Sequence, residues 1–209
     1  MTAALHRVLR QHGFSMIEVL IALFILLVGL LGLAGLMVQS QRSEFESYQR
    51  VQALVLLKDM MARINANRNV ASCYAFTPFG AGTPYLGTGS TLAQPCTLGT
   101  AVQNARAVAD MNEWNALLLG AAETAGGSST GAMVGARGCV SYDGNDLLLA
   151  NNGTKILGTG VYTVSVAWQG LGETYANTSL LCGQGLYGDE TRRRVASLTF
   201  RIGSVSNNN

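Results

Sequence analysis

The stretch that decides the fold is Gly13-Phe14-Ser15-Met16-Ile17-Glu18 followed by VLIALFILLVGLLGLAGLMV, residues 19–38. Its last 20 residues carry no charge. As an α-helix, such a run spans about 30 Å, the thickness of a bilayer's hydrocarbon core. A buried helix of a water-soluble protein keeps a polar face, and this run has none. The short basic stretch before it (His6, Arg7, Arg10, His12) would remain cytoplasmic by the positive-inside rule, placing the C-terminal bulk outside. A secretory signal has a shorter apolar region closed by a small-residue cleavage site, whereas here Gln39-Ser40-Gln41-Arg42 follows directly.

Glu18 breaks the apolar pattern. A carboxylate at the bilayer centre costs about 2.5–3.5 kcal/mol, less near a helix end. Two readings follow: Glu18 reaches interfacial water, or it finds a cation in an apolar assembly. No Lys or Arg lies between Arg10 and Arg42. A chain beginning after Gly13 would offer only its own α-amine nearby, and a neighbouring copy could supply that amine.

Gly13-Phe14-Ser15-Met16-Ile17-Glu18, with its basic leader and unbroken apolar helix, resembles the class III signal of type IV pilins and pseudopilins. The resemblance implies cleavage after Gly13 by a prepilin peptidase, N-methylation of Phe14, and pairing of Glu18 with the Phe14 amine of an adjacent subunit. It also implies an α+β pilin-like fold in which a long N-terminal helix packs on an antiparallel β-sheet head. The expected divisions are a leader at 1–13, a transmembrane and fibre-core helix at 14–38, an amphipathic half at 39–68 and a head at 69–209.

Asp110-Met111-Asn112-Glu113-Trp114, the Tyr162–Trp168 strand and the Arg193–Ile202 strand look like the minor pilins of the PilV type, which initiate or modify pilus assembly. That resemblance implies other major and minor pilins and the inner-membrane assembly machinery as partners, with membrane lipid around the helix before assembly. The implied location is the bacterial inner membrane with the head in the periplasm, then the pilus at the cell surface, where twitching motility and cell adhesion are served. A type II secretion pseudopilin and a pilus-tip adhesin or DNA-uptake receptor are the alternatives.

Composition narrows the chemistry. The whole chain carries a net charge of +2 from 14 basic and 12 acidic residues, and loss of Arg7 and Arg10 with the leader would leave 12 of each. Such a balance argues against nucleic acid as a general partner. Both histidines lie in the leader, so the remainder lacks the base of Ser-His-Asp or Cys-His systems and the common zinc ligand. With no Walker A sequence or dinucleotide fingerprint, the chain reads as a non-enzyme without a cofactor or metal. Arg192-Arg193-Arg194 is the one basic cluster and reads as a solvated strand entrance rather than a DNA contact.

Beyond Val38, residues 39–68 lack proline and glycine. Val51, Leu54, Val55, Leu57, Met61 and Ile64 recur mainly at three- and four-residue steps and predict the face that packs on the head. Asn65, Asn67 and Asn69 mark the exit. Gly29, Gly32 and Gly35 suit either close helix packing or local extension in a fibre. A turn-rich segment follows through Thr100, offering recognition loops or simple connections. A short helix is expected from near Asn104, with Val108, Met111, Trp114 and Leu118 on one face. Gly126-Gly127-Ser128-Ser129 reads as a flexible connection. Strands are expected at Ala132–Tyr142, Leu147–Ala150, Val161–Trp168 and Val195–Ile202.

Four cysteines fit an oxidising compartment and allow three pairings. Cys73–Cys96 with Cys139–Cys182, which closes two local loops, is the favoured one.

Overall fold

The computed structural model describes residues 13–90, 94–129, 131 and 133–203. The basic leader residues His6, Arg7, Arg10 and His12 lie outside them, as does Ala132. The chain divides into two compact units, Met1–Glu44 and Phe45–Asn209.

Helix α1 runs from Met16 to Ala66, 51 residues without interruption. Its start is held by the Ser15 carbonyl, which accepts from the amides of Glu18 (3.0 Å) and Val19 (3.3 Å). It continues regularly through Gly29, Gly32 and Gly35, where a Cβ would meet nothing within 4 Å. Asn67 ends it by leaving helical geometry (φ −115°, ψ 38°). The Asn67 amide then donates to the Gln103 carbonyl at 2.9 Å and the Tyr74 hydroxyl at 3.2 Å. A 3-10 turn over Arg68–Tyr74 follows.

The head's sheet is four-stranded and antiparallel, ordered β1-β4-β5-β6, with β1 Leu86–Gly87, β4 Arg137–Asp143, β5 Val161–Gln169 and β6 Arg193–Arg201. Helix α2 spans Ala101–Leu118, and a small hairpin joins β2 Thr124–Ala125 to β3 Ser128–Ser129. The architecture is α+β: a long apolar N-terminal helix followed by a four-stranded antiparallel sheet. Its main core gathers Leu57, Met60 and Ile64 of α1, Met111 and Trp114 of α2, and Val140, Val164 and Val166 of the sheet. On the other face Cys139, Ala167, Cys182 and Tyr187 form a second, smaller cluster.

Several expectations are corrected. The face of α1 that packs is Gln49, Ala53, Leu56, Leu57, Met60 and Ile64, while Val51, Leu54 and Val55 are 58%, 42% and 59% exposed. This helix carries apolar residues on two faces, and spacing alone could not say which one meets the sheet. Small Ala53 lies on the chosen face, so little side-chain bulk separates the helix there from its neighbours.

Helix α2 begins one turn earlier than Asn104, because Thr100 and Gln103 form a reciprocal capping box. Asn104 instead turns its amide back on Gly99, donating to its carbonyl at 3.0 Å and accepting from its amide at 2.9 Å. On this helix Ala107 and Asp110 are buried with Met111, Trp114 and Leu118, whereas Val108 is only partly covered.

Strand β4 starts at Arg137 rather than Ala132, since Gly135 adopts φ +64°, a left-handed geometry that interrupts an extended run. Leu147–Ala150 is not a strand. It forms one bridge, Leu149 to Lys155, before Asn151-Asn152-Gly153 reverses the chain. Gly126 and Gly127 are not a loose linker but the two positive-φ residues (+59° and +83°) of the β2–β3 turn.

Candidate functional site: the helix start and the charged clusters of the head

The start of α1 is solvent-facing throughout. Phe14 is 83% exposed and Met16 87%, and the large apolar residues from Ile17 to Val38 are all exposed. Such an unbroken apolar surface calls for lipid or protein cover. Among the described residues, this helix alone is long and apolar enough to cross a membrane. Phe14, Glu18, Val19, Ala22, Leu23 and Leu26 line one shallow apolar concavity on it. Four residues apart, Phe14 and Glu18 thus share a side of the chain. Among the described residues no cation lies within salt-bridge distance of Glu18. In the first turn its carboxylate also faces the positive end of the helix dipole. Gly13 has open space around its α-carbon, so its backbone is accessible.

The three arginines at the start of the last strand, Arg192 to Arg194, do not form a basic surface. Arg193 is buried, its side chain 1% exposed. Its guanidinium donates to Glu190 at 2.6 Å and to the carbonyls of Asn177 (2.5 Å), Leu180 (2.7 Å) and Cys182 (3.2 Å). Arg194 reaches Glu46 on α1 at 3.2 Å and the Gly172 carbonyl at 3.0 Å. Only Arg192 resembles the expected solvated residue, at 47% side-chain exposure beside Glu173. The cluster is therefore a bracket that ties the 171–182 loop and α1 to β6.

Sequence reasoning missed a second charged group. Asp110 of α2, 1% exposed, accepts from Arg63 of α1 at 3.0 Å, Arg106 at 2.8 Å and the Tyr74 hydroxyl at 2.6 Å. Arg63 also holds Asp59 at 2.7 Å and pairs with Glu113. Burial disfavours the Arg63 charge, but hydrogen bonds to Asp59, Glu113 and Asp110 more than compensate and raise its pKa. The Tyr74 phenol is pushed up by burial and by donation to Asp110. Arg63 holds the Glu113 carboxyl below the usual range. The i,i+4 spacings Asp59/Arg63 and Arg106/Asp110 were the available signal, though spacing does not show that the two pairs meet.

Both disulfides bracket the head: Cys73–Cys96 (Cα–Cα 5.3 Å) and Cys139–Cys182 (5.8 Å). The turn-rich loop from Val70 to Thr100 is thus fastened to the 3-10 turn at one end. Near the start of that loop the Thr77 amide donates to the Val140 carbonyl of β4 at 2.9 Å, and the Val140 amide donates to the Thr77 hydroxyl at 3.3 Å. Among the described residues no three His, Cys, Asp or Glu side chains gather as metal ligands.

Residues 9–34 match the family model for the prokaryotic N-terminal methylation motif. No curated protein and no solved structure matches the chain. The motif is a class III prepilin signal and supports a type IV pilin or pseudopilin-like subunit. Together with the exposed apolar helix it fits membrane anchoring of a head domain.

Proposed function

We propose that this chain is a minor subunit of a type IV pilus, of the PilV type, that helps to initiate or modify pilus assembly. The observation that carries the reading is the methylation motif at residues 9–34, which covers most of an exposed apolar stretch, residues 14–38, whose lone acid is Glu18. A prepilin peptidase removes residues 1–13, and the new Phe14 amine is methylated. While the subunit waits in the inner membrane, residues 14–38 lie in lipid and the head lies in the periplasm. In the fibre, Glu18 neutralises the Phe14 amine of an adjacent subunit. Desolvation makes an unpaired carboxylate costly there, and that cost selects the axial stagger in which the two charges meet. The head carries no catalytic step in this reading; it serves other pilins and the assembly machinery as a packing surface.

Mass spectrometry of the membrane-extracted protein tests the processing step: a chain starting at N-methyl-Phe14 is expected. Gly13→Leu should leave the precursor intact, and a normal Phe14 terminus in that variant would refute the assignment. Glu18→Ala should be cleaved yet fail to enter fibres; unchanged piliation would remove the charge-pair account. Co-purification with secretion-system subunits in place of pilins would redirect the reading to a pseudopilin. Engagement of Arg193 and Arg194 with Glu190 and Glu46 leaves the DNA-uptake alternative only Arg192 of that basic cluster.

A further inference from the structure

Arg137 opens β4, with Gly87 of β1 on one side of it and Ala167 of β5 on the other. Strand alternation puts its side chain on the same face as Cys139, the face of the smaller cluster. Its guanidinium lies between two aromatic rings, 4.8 Å from the centroid of Tyr187 and 5.4 Å from that of Tyr85. The Gly135 carbonyl accepts from Arg137 Nη1 at 3.2 Å and from the Tyr187 hydroxyl at 2.9 Å, which fixes the clamp from a third side.

This cation has no counter-ion in its own chain. All 12 acidic side chains lie among the described residues, and none stands within salt-bridge distance of Arg137. Arg63, Arg106, Arg192, Arg193, Arg194 and Arg201 each pair with a carboxylate. Burial opposes the Arg137 charge, while the neighbouring Tyr187 and Tyr85 oxygens offset that and keep its pKa raised. Arg137 Nε is sealed from water without an acceptor. Nη2 also lacks an acceptor among the described residues, but it is open to solvent. The Tyr85 hydroxyl beside the guanidinium finds no acceptor for its proton among them either. Both residues are half-buried, so a guanidinium and a phenol, each with a proton to donate, stand side by side within reach of solvent.

We propose that Arg137 and Tyr85 bind a carboxylate of another polypeptide, carried by an acidic side chain or a free C-terminus. One fixed cation beside one phenol proton matches a group with a single charge and two coplanar oxygens. A phosphate brings more negative charge than one guanidinium balances. A sugar acid brings a ring to stack, yet Tyr187 is only 8% exposed and, like Tyr85, turns a face to Arg137. The two rings and the Gly135 carbonyl hold the guanidinium in place before any ligand arrives, so little ordering remains for binding to overcome. The proposal does not rest on the prepilin signal, and its test leaves that reading untouched.

The test uses the full chain in detergent micelles and reads binding by saturation transfer from protein to peptide. The probes are N-acetylated hexapeptides: Gly-Ser-Gly-Glu-Gly-Ser amide, Gly-Ser-Gly-Gln-Gly-Ser with a free C-terminus, and that glutamine peptide as its amide. The first should bind if the source is an acidic side chain, the second if it is a chain end, and the uncharged third should not bind. Tyr85→Phe removes only a half-buried hydroxyl and should weaken binding about tenfold. Arg137→Lys keeps the charge but loses the planar fork, and saturable binding should vanish, with circular dichroism confirming the fold. Should Arg137→Lys fail to fold, Tyr85→Phe decides alone. No binding of either carboxylate peptide, equal binding of the uncharged one, unaltered affinity in Tyr85→Phe, or tighter binding of inorganic phosphate or galacturonate would each overturn the proposal.

Discussion

The indole Nε1 of Trp114 donates to the Leu56 carbonyl at 3.0 Å, joining α2 to α1 across 58 residues of chain. Trp114 is fully buried, and its ring fills the space left by the missing side chain of Gly138 on β4. One side chain thus holds both helices and the sheet. Trp114→Ala should cost about 3–5 kcal/mol of head stability. Gly138→Ala, whose methyl would enter the ring's place, should cost about 1–3 kcal/mol. Urea midpoints of the two variants check both values.

Asp110 collects three donors at a site closed to water. Asp110→Ala leaves Arg63 and Tyr74 short of an acceptor and should destabilise the head by about 3 kcal/mol. Arg106 is more than half exposed, so Arg106→Ala should change the midpoint far less. Equal losses in the two variants would contradict this division of roles.

Acid should weaken the head by a definable route. Glu113 is held low by Arg63, and Glu190 is held low despite burial by the Gly185 amide and Arg193. A carboxyl with a lowered folded-state pKa contributes stability above its unfolded value, and that contribution is lost as pH falls through the folded value. Stability should therefore decline as pH drops below the ordinary glutamate range, about 4.3. Glu113→Gln should flatten that decline, which thermal melts across pH 2–6 would reveal.

Arg193 and Arg192 are neighbours with different tasks. Arg193→Ala strands three carbonyls and Glu190, so it should lower the melting temperature by several degrees, whereas Arg192→Ala should leave it nearly unchanged. Differential scanning calorimetry decides between this bracket and a merely solvated cluster, which would make the two variants alike.

Removing the Cys139–Cys182 bridge by paired serine substitution should cost about 2–5 kcal/mol. The bridge joins β4 to the loop that Arg193 also holds, so the loss should be accompanied by faster proteolysis within 171–190. A variant cleaved at the unaltered rate would show that the arginine alone secures the loop.

Legibility in the sequence followed the range of the interaction. A run of 20 uncharged residues specifies a helix wherever it sits, and strict alternation specified β5 and β6 to within two residues at each end. The strand expected at Leu147–Ala150 failed because a strand needs a neighbour, and Asn151-Asn152-Gly153 turns the chain before one is met. Helix α2 starts at Ala101 rather than near Asn104, and the local signal for that start is the Thr100 and Gln103 capping pair.

What the sequence determined by itself was the apolar stalk, the acid near its start, the absence of histidine after His12 and the alternating strands. Each depends on neighbours a few residues away. Only the tertiary structure decided which stripe of α1 is covered, which of three cysteine pairings is made, and that Arg63 and Asp110 meet. The same holds for Arg193, whose four acceptors lie on Asn177, Leu180, Cys182 and Glu190. These outcomes depend on distances closed between remote segments, and a linear pattern of residue types carries no record of which segments approach.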